Sequence, residues 1–222
     1  MKSNSLSFVA IPPGFLRSIA TGNIQTPSLY YHSNFLLREI FWLRLRVINF
    51  QMSRLGLKGG RCLDFGGGSG VFLPTLSQRF DQVSCIDLDV SEAKAIAEKY
   101  QIQKVAVVES DISNADYSSA PFDAIVAADV LEHFQDLTLP VTAIRQWLSP
   151  GGYLFTSLPT ENWVYVLLRK FFGIEKPFDH YHTGVEVETF LRRSGFVPQM
   201  RIHLPLFIPF ATLFLVTAWR RA

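Results

Sequence analysis

Leu63-Asp64-Phe65-Gly66-Gly67-Gly68-Ser69-Gly70 is the stretch on which the reading of this chain turns. The apolar run over 61–65 predicts a short buried strand, a glycine cluster comes directly after it, and 71–80 suits a helix. A strand that breaks into glycines and re-forms as a helix lets backbone approach a ligand where side chains would block it. The spacing is Gly66-x-Gly68-x-Gly70. A dinucleotide fingerprint needs its third glycine one place later, where this chain has Val71. The loop therefore points to a nucleoside ligand other than a nicotinamide dinucleotide. By itself it leaves open a glycine-rich turn with no ligand.

The chain beyond the loop narrows the choice. Residues 82–86 predict a second strand with Asp87 at its end, where an acid can accept both hydroxyls of a ribose. Residues 105–108 predict a third strand, and Glu109-Ser110-Asp111-Ile112 comes after it. A carboxylate there can accept from an adenine amino group while Ile112 packs on the ring. Phe122-Asp-Ala-Ile-Val-Ala-Ala-Asp-Val-Leu-Glu-His133 reads as a fourth strand running into a loop. Leu148-Ser-Pro-Gly-Gly152 is a helix stop, and 153–158 a fifth strand.

These five blocks, in this order and spacing, resemble class I S-adenosylmethionine-dependent methyltransferases over roughly 60–196, in the small-molecule branch that includes the ubiquinone-biosynthesis O-methyltransferases. The resemblance implies a doubly wound α/β fold with a mostly parallel seven-stranded sheet whose last strand is antiparallel. It implies one domain over 1–222, with a cap helix within 1–56 and an insert at 160–183 over the substrate pocket. The implied cofactor is S-adenosyl-L-methionine, touched by Asp64, Gly66, Gly67, Gly68, Gly70, Asp87, Leu88, Asp111, Ile112 and Ala128. The implied acceptor is a small lipophilic or aromatic molecule. Methyl transfer from a sulfonium is an in-line displacement, and an oxygen acceptor needs its proton removed. His133, just past the fourth strand, is the expected base; His180 and His182 are further imidazoles at the rim, and Glu132 is placed to orient a base or help hold a metal. Related O-methyltransferases sometimes use a divalent cation, but no complete ligand set is legible, and no metal is expected. In the resembled branch a basic residue near the N-terminus reaches the methionine carboxylate; Arg38 and Arg46 are both candidates. The competing readings are a Rossmann-type nucleotide enzyme, against which Val71 counts, and a non-catalytic protein that retains the fold.

The remaining chain fits one sizeable core in 222 residues. Twenty-one Lys and Arg against 19 Asp and Glu give a net charge of +2, so charge implies no nucleic-acid partner. Cys62 and Cys85 fall in predicted buried strands and read as core thiols, which suits a reducing cytoplasm. The first eleven residues lack the continuous apolar core of a secretion signal. Residues 34–52 predict a helix with Leu36, Ile40, Leu43, Val47 and Phe50 on its buried stripe, and Arg38, Trp42, Arg46 and Asn49 elsewhere. Ser91 is the expected cap of a helix over 92–100. Helices are also expected over 140–148 and 185–193, the latter ended by Ser194-Gly195. The apolar stretch 162–173, interrupted by Arg169 and Lys170, reads either as a core helix or as a lid that also touches a membrane surface. The apolar run 202–219 reads as two strands of a closing hairpin rather than a membrane span. Oligomeric state is not legible.

Overall fold

The computed structural model describes residues 7–21, 28–111, 115, 121–171 and 180–222. Seven strands form one sheet: β1 (Arg61–Phe65), β2 (Gln82–Asp87), β3 (Val105–Glu109), β4 (Phe122–Ala128), β5 (Leu148–Pro159), β6 (Phe196–Pro205) and β7 (Thr212–Arg221). Their order is β3-β2-β1-β4-β5-β7-β6. The pairs among β1 to β5 are parallel, and β7 runs antiparallel between β5 and β6. From β1 the chain runs outward to β2 and β3 on one side, then returns to β4 on the other side of β1, so the order reverses there. A crevice opens at such a reversal, outside the carboxyl ends of the strands. The inserted antiparallel β7 departs from the dinucleotide-binding order and removes the Rossmann-type alternative.

The central strands alternate between two buried faces, as strands covered on both sides must. Cys62, Val83, Cys85, Ala124, Val126 and Phe155 face one apolar cluster, packed by α1 (Pro13–Ile19), α2 (Phe35–Arg54), α3 (Leu73–Arg79) and α4 (Ser91–Lys99). Leu63, Phe65, Ile125, Ala127 and Leu154 face the other, packed by α5 (Thr138–Trp147) and α7 (Gly184–Arg193). Both cysteines are buried free thiols. The C-terminal apolar run is the expected pair of strands, and no helix among the described residues is long and apolar enough to cross a membrane.

Two local expectations are corrected. The buried face of α2 is only in part the expected stripe: Val47 is buried and Ile40 and Leu43 pack partly buried on the core, but Leu36 and Phe50 are exposed, and Leu37, Trp42, Leu45, Ile48, Asn49 and Met52 are buried as well. The helix is covered by β6, β7 and the turn at Ser28–Tyr31 as well as by β5, so contacts on several sides, rather than one sheet, select its inner face. Ser91 does not cap α4. Its amide and its hydroxyl both donate to the Asp89 carboxylate, at 2.9 and 2.7 Å, and Val90 occupies the cap position. By contrast, Asn34 caps α2 by accepting from the amides of Leu36 and Leu37, and Gly195 (φ +84°) ends α7 as expected.

Candidate active site

The glycine loop leaves β1 under two constraints. Gly66 has φ +65° and Gly68 φ +52°, a left-handed backbone that side-chain-bearing residues adopt at a cost. Space is the second constraint. A Cβ on Gly66 would lie 2.2 Å from Val130 Cγ2, one on Gly67 2.6 Å from Cys85 Sγ, and one on Gly70 2.8 Å from Ala93 Cβ. The loop thus needs glycine for its own packing. The contact to Val130 also brings it against the chain that leaves β4.

Asp87 fastens the loop from the end of β2. Its carboxylate accepts the Gly68 amide at 2.7 Å and the Leu88 amide at 2.7 Å. Burial raises its pKa, partly offset by the amides of Gly68, Leu88 and Asp89. Asp64, buried at the end of β1, has its pKa pushed up to about 7, first by burial and then by the charge on Asp87. Leu88 is exposed beside Asp87. Asp111 lies exposed just beyond β3, whose Glu109 is in register with Asp87. Ile112 is outside the described residues. Ala128 ends β4. The expected cofactor residues that are described therefore fall along the carboxyl ends of four strands.

The chain past β4 meets a group that sequence reasoning missed. Arg44, in the middle of α2, is 1% exposed and ion-paired with Asp129. Its guanidinium also donates to the Phe41 carbonyl and the Tyr30 hydroxyl, with its central carbon 4.0 Å from the Phe41 ring centroid and 4.7 Å from that of Phe214. Burial lowers its pKa, and the first opposing influence is Tyr30. Asp129 has φ +54°, and its amide donates to the Ser157 carbonyl while its carboxylate accepts from the Ser157 hydroxyl. Of the two arginines expected to reach the cofactor, Arg38 donates to the His32 carbonyl and Arg46 pairs with Glu39.

His133 ends the short turn Leu131–His133, and its ring stands edge-on to that of His180, 4.7 Å between centroids. His180 is brought there by backbone: the amides of Tyr181 and His182 donate to the Glu132 carbonyl at 2.9 and 3.4 Å. His180 Nδ1 lies 3.2 Å from the Glu161 carboxylate, which also pairs with Arg169. His182 turns Nε2 toward the Gln135 carbonyl at 3.2 Å. Glu132, His133 and His180 each offer a ligand atom within 4.8 Å of the others, and all three are of types that a divalent cation takes.

Beside this cluster, α6 (Trp163–Phe171) carries no buried residue, so the core-helix reading falls. Trp163, Leu167 and Phe171 are 75%, 58% and 80% exposed at helical spacing, while Val164 and Tyr165 pack on the core. Between α6, α2 and β7 runs an apolar groove lined by Phe41, Leu168, Leu213 and Phe214, with Tyr165 and Arg169 as its polar residues.

A family model described as a methyltransferase domain matches residues 41–199. Ubiquinone biosynthesis O-methyltransferase of Xanthomonas oryzae pv. oryzae is 31% identical over 114 residues, 50% of this chain and 47% of that protein. The enzyme of the same name from Xylella fastidiosa is 33% identical over 114 residues, 50% of this chain and 46% of that protein. The chain thus matches about half the length of these relatives. Among solved structures, magnesium protoporphyrin IX methyltransferase from Synechocystis PCC 6803, with bound S-adenosylhomocysteine, superimposes with a TM-score of 0.71 at 17% identity, covering 95% of this chain and 100% of that one. The N-methyltransferase NodS from Bradyrhizobium japonicum WM9, also with S-adenosylhomocysteine, gives a TM-score of 0.66 at 18% identity, covering 94% and 96%. These two likenesses establish the fold. With the strand order, the fastened glycine loop and the matched domain model together, the chain belongs to the class I S-adenosylmethionine-dependent methyltransferase family.

Proposed function

We propose that this protein transfers the sulfonium methyl of S-adenosylmethionine to a hydroxyl on a small lipophilic aromatic acceptor. The observation that carries the reading is the glycine loop held by Asp87 at the reversal point of the sheet, with an apolar groove close by. Asp87 would accept from the ribose, Asp111 and the Leu88 side chain would flank the adenine, and the loop from Gly66 to Gly70 would meet the methionine part. Asp129 and its partner Arg44 stand where the amino acid end would lie. Transfer needs only alignment of the acceptor oxygen with the methyl carbon opposite sulfur, which contributes about 7–11 kcal/mol of barrier lowering, plus a base. The imidazoles of His133 and His180 are the bases at hand.

The groove favours an acceptor with an apolar part, and the exposed face of α6 favours a lipid surface as the place where such an acceptor is met. Phe172 and Gly173, the end of the expected membrane-contacting stretch, lie outside the described residues. The free buried thiols support a cytoplasmic setting, with the protein peripheral to a membrane. Calorimetric titration with S-adenosylhomocysteine tests the cofactor. Incubation with S-adenosylmethionine and alkyl-substituted phenols, read by a mass gain of one methyl replacing one hydrogen, tests the acceptor class. No heat of binding would remove the cofactor assignment; binding without methylation would remove the phenolic acceptor.

A further inference from the structure

We propose that His180, oriented by Glu161, is the general base for the acceptor hydroxyl, in place of the His133 that the sequence favours. This rests on the oxygen-acceptor reading above. The Glu161 carboxylate lies 3.2 Å from His180 Nδ1, and both side chains are less than a tenth exposed. A carboxylate on Nδ1 holds the proton on that nitrogen and leaves the Nε2 lone pair free to accept another. It also stabilises the imidazolium that results. Glu161 is itself held, since Arg169 pairs with it at 3.3 Å. Its backbone sits at φ +51°, a left-handed conformation that a side-chain-bearing residue keeps only where surrounding contacts impose it.

The pair also lies between the two places that a base must join. Arg169 and Tyr165 are the polar residues of the apolar groove, so an amphipathic acceptor lying there turns its polar end toward Arg169 and hence toward Glu161 and His180. On the other side, the His180 ring stands against His133, whose amide donates to the Val130 carbonyl, and Val130 is the residue pressed against Gly66. His182 offers no equivalent, because its Nε2 is directed at the Gln135 carbonyl.

In the step, the acceptor O–H proton passes to His180 Nε2 as an oxygen lone pair forms the bond to the methyl carbon. The carbon–sulfur bond breaks and its electron pair stays on sulfur, leaving neutral S-adenosylhomocysteine. The imidazolium then gives its proton to solvent, for a net release of one proton per methyl transferred. Glu161 is a positioning residue and exchanges no proton.

The test uses the full chain, S-adenosylmethionine and a decyl-substituted catechol. His180→Ala should lower kcat by about 100-fold or more, with S-adenosylhomocysteine affinity within about twofold of the parent. Added imidazole should restore at least about tenfold of the lost rate, which a merely structural residue would not allow. Glu161→Asp should keep much more kcat than Glu161→Gln at similar KM. His182→Ala, on the same segment, should keep the parental rate. His180→Gln replaces His180→Ala if the latter fails to fold or to bind S-adenosylhomocysteine. If the parent binds S-adenosylhomocysteine but leaves the catechol unmethylated, the acceptor reading falls and takes this inference with it. If the parent is active and both His180 variants keep their rate, or imidazole restores nothing, the base lies elsewhere. Loss of parental activity on chelation, restored by a divalent cation, would also overturn it and reassign His180, with Glu132 and His133, to a metal.

Discussion

Asp64 lies buried at the foot of the glycine loop with a pKa near 7, far above the usual 3.8. Between these values the folded protein binds a proton that the unfolded chain has lost. Stability without ligand should therefore fall as pH rises from about 4 to about 7, by at most roughly 1.4 kcal/mol per pH unit from this group. Urea denaturation at several pH values checks this, and Asp64→Asn should flatten the dependence. Arg44 is the converse case, a charge buried with its partner. Arg44→Met strands Asp129 and should cost about 3–5 kcal/mol, seen as a lower urea midpoint at unchanged slope. Asp87→Ala should weaken S-adenosylhomocysteine binding by roughly 1.5–3 kcal/mol; calorimetry on a variant shown to be folded decides. The glycine loop and Asp87 are legible in the sequence because their spacing is local. Arg44 is not: between Leu43 and Leu45 on an amphipathic helix, an arginine reads as solvent-facing, and only the aromatic rings from α2 and β7 make it a buried one.

Among the elements, α6 is the one whose exposure calls for a partner. Asn162, just before it, ties its first turn to β7, accepting from the Tyr165 amide and donating to the Thr212 carbonyl. The helix is thus anchored at its start while Trp163, Leu167 and Phe171 remain outside the core. Changing Trp163 and Phe171 together to serine should leave thermal stability within about 0.5 kcal/mol of the parent, as surface changes do. The same variant should lose sedimentation with anionic vesicles. Unfolding would return α6 to the core, and unchanged sedimentation would remove the lipid surface. Sequence composition marks this segment as apolar but leaves its environment open, because period alone does not say which neighbour a helix meets. The expected stripe on α2 fails at its ends, Leu36 and Phe50, for the same reason: the helix packs on three strands and a turn, and its inner face is chosen by all of them. The pairing of Glu161 with His180 is out of reach of sequence altogether, since 19 positions separate them and only the segment's return to Glu132 brings them together.

At the scale of the molecule, the order of the strands decides where a ligand can sit. The alternation of strand and helix along 61–158 is enough to predict the parallel part of the sheet, and the doubled apolar run near the C-terminus predicts the hairpin. Which strand that hairpin pairs with comes from resemblance, since long-range pairing leaves no local mark on a sequence. The reversal beside β1 gives a whole-molecule expectation. S-adenosylhomocysteine at 100 times its dissociation constant should stabilise the fold by about 2.7 kcal/mol and raise Tm, while NAD at the same concentration should not. A comparable rise with NAD would reopen the dinucleotide reading that β7 excludes.

The bond from the Gly68 amide to Asp87 has a further consequence for the reaction cycle. The loop is already shaped, so little ordering would accompany the binding of a nucleoside there. That advantage goes equally to the spent cofactor, which keeps the ribose, the adenine and the amino acid and lacks only one methyl and one charge. A cradle rigid in this way discriminates poorly between fuel and ash. Steady turnover would then be limited by how quickly S-adenosylhomocysteine is cleared from the cradle and from the surrounding solution, and the protein would slow in step with its accumulation.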